Sequence, residues 1–150
     1  MAEFSKAYFE TEIREGFEVQ SMMKRAWAGQ IEVIEEIRKV CQRHNIKWFA
    51  DYGTLLGAIR HKGFIPWDDD IDIGMKRDDL QNFIKYGKDE LPEGYKILCM
   101  DLEPEYDSLI VRVVNSTSIS NDAKRMEKYH GCPYVLAVSY THLRAHETSA

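Results

Sequence analysis

The sequence predicts an α/β (α+β) fold, and three observations carry that expectation. Helical and strand-like stretches alternate along the chain of 150 residues. Apolar residues make up 44% of it, enough for a real core in one ordinary domain or in part of a larger one. The apolar runs are short and bounded by Gly and Pro. None approaches the ~20 residues that span a bilayer.

Residues 3–45 read as helical. Trp27, Ile31, Ile34, Arg38 and Cys41 fall at spacings of three and four, with Val33, Ile37, Val40 and His44 as a second stripe beside them. Together they make a broad face for burial. Asn45, after Arg43 and His44, is a stop signal. This opening helix reads as scaffold, with His44 a helix-end residue.

Residues 46–52 are strand-like, Gly53-Thr54 punctuates them, and 55–60 make a short helix. Gly63 and Pro66 mark 61–66 as a loop. A strand is expected over 70–75. Asp78, Asp79, Leu80, Phe83 and Ile84 then suggest an amphipathic helix, with acids in its first turn as the helix dipole prefers. Pro92 and Gly94 close that region. Further strands are expected over 95–100, 109–114 and 134–138.

The last twelve residues, SYTHLRAHETSA, are polar and lack an aliphatic pattern. His142 and His146 stand four apart. No ordered element supports them as a metal pair, and Glu147 is misplaced for an H-E-x-x-H arrangement. The tail looks like translated adapter sequence. Native sequence is therefore expected to end near Val138, with segments 1–45, 46–138 and 139–150.

Charge and cysteine content narrow the function classes. The net charge is -5, without a block of Lys or Arg, so nucleic acid is not an expected partner. An acidic balance suits a divalent cation or a cationic ligand group. Cys41, Cys99 and Cys132 are scattered and contain no C-x-x-C pair, which fits reduced thiols. No apolar leader follows Met1, so no secretory signal is expected.

The chemistry concentrates in FIPWDDDIDIG, from Phe64 to Gly74, where Asp68, Asp69, Asp70 and Asp72 crowd together. On a strand, side chains alternate. Asp68, Asp70 and Asp72 would face a cleft while Asp69, Ile71 and Ile73 face the other way. Carboxylates this close repel, and a divalent cation removes the repulsion. An all-oxygen set suits Mg²⁺ or Mn²⁺ better than zinc. Mg²⁺ in turn favours a phosphorylated substrate. A solvated acidic turn is the plainer alternative, opposed by the flanking Trp67, Ile71 and Ile73. A calcium loop fails because Ile73 stands where Gly is needed and Asp79 where Glu is needed. Gly53-Thr54 adds a strand-to-helix turn, a natural phosphate cradle. Arg60, His61 and Lys62 put positive charge between the two elements.

The longer stretch DYGTLLGAIRHKGFIPWDDDIDIGM, Asp51 to Met75, closely resembles the signature of the LicD family. These are bacterial phosphocholine transferases, related to the fukutin proteins, with a nucleotidyltransferase-type mixed sheet and flanking helices. The likeness continues through SLIVRVVNSTS and covers most of 48–138. It implies metal-dependent transfer of phosphocholine, or a related phospho-alditol, from CDP-choline or a similar CDP-activated donor. The acceptor would be a sugar of a cell-surface glycan of lipopolysaccharide or teichoic acid type. The place implied is the cytoplasm, at the inner face of the membrane. On this resemblance Gly53 and Thr54 match the nucleotide-phosphate turn. Asp70 and Asp72 match the metal-binding catalytic pair, with Asp68 as a third ligand. Arg60 and Lys62 are candidate phosphate contacts, and Arg112 is another, with a surface arginine on a strand as the plainer alternative. Trp67 could stack on a base or a choline group.

The chain departs from the family pattern at one point. The family supplies another acid in an Asp-Ile-Phe motif after a hydrophobic strand. Here 134–138 reads as that strand, and Ser139 stands at the aspartate position. The sheet is therefore expected to be incomplete at its C-terminal side, and the chain to be an inactive part of an active parent. Two other classes stay open: a nucleotidyltransferase acting on a small molecule, and a cation- or nucleotide-binding module without turnover.

Overall fold

The computed structural model describes residues 3–115 and the strand over 135–140. The fold is α/β, as expected. Its opening differs from the uninterrupted helix expected over 3–45. A 3-10 turn, Lys6–Phe9, is capped by Ser5 and followed by strands β1 (Glu12–Arg14) and β2 (Phe17–Val19), paired antiparallel. Only then does helix α1 run, over Ser21–Arg43. The reason lies at Glu15 and Gly16, which take φ of 51° and 80°. Two successive left-handed residues make a tight hairpin turn, and Gly16 adopts that backbone without steric cost.

The stripe read for α1 is real: Trp27, Val33, Ile37, Val40 and Cys41 are buried. The helix stops where Asn45 predicts. Asn45 adopts φ 53°, and the Ile46 N–H reaches back to the Cys41 carbonyl at 2.9 Å. That bond closes a left-handed C-cap. His44 is the C-cap residue, stacked on Tyr86 at 3.7 Å and bonded through Nε2 to Glu90 at 2.5 Å. It belongs to the scaffold.

After α1 come β3 (Trp48–Ala50), helix α2 (Tyr52–Arg60), β4 (Asp72–Met75), helix α3 (Arg77–Glu90), β5 (Lys96–Leu98), β6 (Val111–Val114) and β7 (Val135–Tyr140). They build a five-stranded mixed sheet in the order β3-β4-β7-β6-β5. β4 and β7 run parallel, and the other neighbours are antiparallel. The boundary expected between Val138 and Ser139 falls inside β7. Residues 141–150, with His142 and His146, lie outside the described residues, as does Cys132.

Alternation divides the sheet into two faces. Ile73, Met75, Val111, Val113 and Ile97 face α1 and α3 and share one buried cluster with Val33, Ile37, Val40, Phe83 and Ile84. Asp72, Gly74 and Arg112 stand on the opposite face. Cys41 and Cys99 are free thiols in the core. Burial, helped by the Asp79 charge, pushes the Cys41 thiol up to about 12, so it stays protonated and unreactive. Among the described residues no helix is long and apolar enough to cross a membrane.

Helix α2 is unusual in what it turns inward. Its apolar residues Tyr52, Leu55, Leu56 and Ile59 are exposed, while Gly53 and Gly57 face the chain that follows. A Cβ on Gly57 would sit 2.5 Å from the Gly63 carbonyl and 3.2 Å from the Ile65 amide. Both are backbone atoms and cannot swing away. Gly57→Ala should therefore destabilise the fold by about 2 kcal/mol through overpacking, read as a lower urea midpoint at unchanged slope.

Candidate functional site

The acidic run is shaped from three sides. Asp68 begins after a turn in which its N–H bonds the Ile65 carbonyl at 3.0 Å. From α1, the Trp27 indole donates to the Asp68 carbonyl at 2.7 Å. One turn further on, Gln30 donates to the Asp69 carbonyl and accepts the Ile71 N–H at 2.6 Å. Gln30 is only 3% exposed. From α2, the Thr54 hydroxyl accepts the Asp72 N–H at 2.8 Å. Asp51 caps α2 by accepting the Tyr52 N–H at 2.9 Å, and its own N–H bonds the Asp72 carbonyl at 3.1 Å.

These anchors correct the expected alternation. Residues 68–71 are not strand, and β4 begins only at Asp72. Trp27 and Gln30 bend the run, so Asp69 does not turn away from its neighbours. Carboxylate oxygens of Asp68, Asp69 and Asp70 lie within 4.8 Å of one another. Ile71 and Ile73 are buried in the core as expected.

The crowding shows in the electrostatics. Burial raises the Asp68 carboxyl above its usual range, and the neighbouring Asp70 and Asp69 add to the rise. Asp72 is raised by its half-burial first, then by the charges of Asp70, Asp68 and Asp51. Among the described residues no cationic side chain offsets either one. Such a set is short of positive charge, and its hard oxygen donors fit a divalent cation of the Mg²⁺ class. Asp51, which the reading of the sequence left out, contributes to the same field.

A cleft of about 270 Å³ opens beside the run, lined by Gly53, Thr54, Lys62, Asp68 and Asp70 against the apolar Ile34, Ala58, Phe64, Ile65 and Ile71. Gly53 and Thr54 thus stand at the cleft, but both serve the acids. A Cβ on Gly53 would collide with the Asp68 carboxylate. Glycine there lets Asp68 pack against the helix. Lys62 reaches the cleft wall with φ 57° and donates to the Ile59 carbonyl at 3.0 Å. Arg60 is exposed at the end of α2 and does not line the cleft. Trp67 is also outside it, 55% exposed, edge-on to Phe17 at 6.0 Å and His61 at 5.7 Å. The β1–β2 hairpin reaches this corner, with His61 Nδ1 2.9 Å from Glu15.

Trp27 and Gln30 anchor the acidic run in a way that the sequence alone did not reveal. Each lies in the buried helical stripe or beside it, and no local pattern marks a side chain that will hold a distant backbone.

Comparison with known proteins gives the chain a family. Residues 45–129 match the LicD family, described as the LicD/FKTN/FKRP nucleotidyltransferase domain. The chain is 32% identical over 125 residues to the lipopolysaccharide cholinephosphotransferase LicD of Haemophilus influenzae, covering 77% of this chain and 47% of that protein. It is 40% identical over 43 residues to the human ribitol 5-phosphate transferase FKRP, covering 29% of this chain and 9% of that protein. An uncharacterised Rickettsia typhi protein is 38% identical over 66 residues, 44% of this chain and 21% of the other. The chain thus spans about half of the first of these relatives and less of the others. The acidic run, the Gly-Thr turn before it and the match over 45–129 make this chain a member of the LicD family.

Proposed function

We propose that the chain carries the metal- and donor-binding part of a phosphotransferase that moves phosphocholine, or a related phospho-alditol, from a CDP-activated donor to a glycan sugar. The observation that carries this reading is the cluster of Asp68, Asp69 and Asp70, with Asp72 beside it, at the mouth of a cleft walled by Gly53 and Thr54. The named activities of the relatives, cholinephosphate and ribitol 5-phosphate transfer, support the class of group moved.

Asp68, Asp70 and Asp72 would hold Mg²⁺ or Mn²⁺, with Asp69 adjoining. When bound, the cation neutralises the donor's phosphate oxygens and the charge that grows on the leaving group. Thr54 fixes the Asp72 backbone, Gly53 admits Asp68, and Lys62 supplies a cation at the cleft wall. An acceptor hydroxyl, giving its proton to solvent, attacks the phosphorus next to the choline. The P–O bond to the nucleotide breaks, and CMP departs with the electron pair. The donor would arrive on the cytoplasmic side, with the protein peripheral to the membrane.

A donor screen with CDP-choline, CTP and ATP tests the reading. Release of CMP with label in the glycan supports it. Incorporation of the nucleotide itself would point to a nucleotidyltransferase instead. Gly53→Ala should push Asp68 aside and weaken Mn²⁺ binding by about tenfold. Its thermal midpoint should move little, because the obstructing atoms belong to one half-buried side chain. Paramagnetic resonance of free Mn²⁺ measures this.

A second reading, binding without turnover, has its own support. β7 lies parallel to β4 with Ser139 paired to Gly74, in phase with Asp72. That is the position at which the family resemblance implies another acid. Ser139→Asp should tighten Mn²⁺ binding if this position belongs to the metal set, and leave it unchanged otherwise.

A further inference from the structure

Arg112 stands in line with the acids across the sheet. Asp72 pairs with Ala137 on β7, and Ala137 pairs with Arg112 on β6. The flanking residues Ile71 and Ile73, like Val111 and Val113, are buried in the helix-covered core. Asp72 and Arg112 therefore share the opposite face, two strand spacings or about 10 Å apart at the backbone. An extended arginine spans much of that gap.

The guanidinium is held ready on its side. Arg112 Nη1 donates to the Tyr106 hydroxyl at 2.8 Å, and that hydroxyl donates to the Ile110 carbonyl at 2.8 Å. Tyr106 in turn closes a backbone turn onto Glu103 at 2.9 Å. Among the described residues Arg112 makes no ion pair, and its one side-chain partner is a neutral hydroxyl. A half-buried arginine is ordinarily matched by a carboxylate or a phosphate. Here the acids on its own face are one strand too far for a direct pair. The arrangement suits a ligand with two linked phosphates, one on the acid side and one under the guanidinium.

We propose that Arg112, oriented by Tyr106, is a second contact for the diphosphate of the donor, across the sheet face from the Asp68–Asp72 run. This rests on the reading of the site as a donor site. It names Arg112 as a binding residue and Tyr106 as a positioning residue.

The test titrates the full chain with CDP in the presence of Mn²⁺, and with Mn²⁺ alone, by calorimetry. Arg112→Ala should weaken CDP by about 10- to 100-fold, the range of one lost charge-assisted hydrogen bond, and leave Mn²⁺ binding and the thermal midpoint near wild type. Arg112→Lys should retain part of the affinity, because the charge remains without the fork. Tyr106→Phe should weaken CDP by a smaller factor. Unchanged CDP affinity in Arg112→Ala, with wild type binding CDP, overturns this inference and leaves the donor site intact. Joint loss of CDP, Mn²⁺ and thermal stability would assign Arg112 a structural role and also overturn it. If the wild-type chain binds Mn²⁺ but no CDP, the donor-site reading falls, and this inference with it.

Discussion

Replacing Asp70 and Asp72 together by Asn should make the metal-free protein more stable and remove its divalent-cation binding. The two effects have one cause. Asp72 is half-buried beside Asp70, Asp68 and Asp51, and its carboxyl is raised first by that burial and then because ionising there adds to existing negative charge. Neutralising two members relieves that repulsion by about 1 kcal/mol once solvent screening is counted. A gain of that size raises the thermal midpoint by about 2–4 °C in a chain of this length. The cost falls on function: cation affinity should drop roughly 100-fold or more, since the proposed site makes these two carboxylates direct ligands rather than supports. If Asp70→Asn/Asp72→Asn bound Mn²⁺ like wild type, the acidic run would not be the metal site.

The same electrostatics set a pH dependence with a defined sign. Asp68 and Asp72 have folded-state values raised above the ordinary 3.8. Between 3.8 and those raised values, the folded state holds more protons than the unfolded state. Stability of the metal-free protein therefore falls as pH rises through that window. Saturating Mg²⁺ should reverse the trend, because binding needs the ionised carboxylates. At a hundred times its dissociation constant, the cation adds about 2.7 kcal/mol. Thermal scans from pH 4 to 7 with and without MgCl₂ measure both limbs, and the double Asn variant should flatten both.

Gln30→Leu should be the most damaging single change outside the apolar core. Gln30 is buried and serves two backbone groups of the acidic run, the Ile71 N–H and the Asp69 carbonyl. Leucine fills the space and leaves both unpaired. One buried and one part-buried orphan cost about 2 kcal/mol together, or roughly 4–8 °C in thermal midpoint. The run should also lose its bend, so cation binding should weaken in parallel. Gln30→Glu is the informative companion. It keeps an acceptor for Ile71, removes the donor to Asp69, and adds a charge beside an acidic cluster. It should be milder than Leu at acid pH and worse near neutrality. Gln42→Leu, on the exposed side of the same helix, should stay within about 0.5 kcal/mol of wild type. Equal effects at positions 30 and 42 would refute the anchoring role.

Much of the fold was legible because it depends on local rules. The Trp27-to-Cys41 stripe, the stop at Asn45, the loop at Gly63 and Pro66, and α3 with acids in its first turn all follow from periodicity and backbone preference. The opening hairpin was not, because apolar residues before Ser21 also fit a helical spacing. Two left-handed residues at Glu15 and Gly16 decided otherwise. Helix α2 misleads in the opposite way: it faces glycines inward and leucines outward, because the acidic run and its loop pack directly against its backbone.

The sequence by itself determined the family, the fold class and the location of the charge, since these reside in consecutive residues from Asp51 to Met75. It also determined that Ile71 and Ile73 would be buried while acids stayed out. Only the tertiary structure decided how the acids converge. Trp27 and Gln30, about forty residues upstream, bend the run and bring Asp69 beside Asp68 and Asp70. Strand order alone set Arg112 in line with Asp72. The physical reason is that hydrogen bonds and sheet register join backbone groups far apart in the chain, and side-chain spacing within a segment carries no record of them.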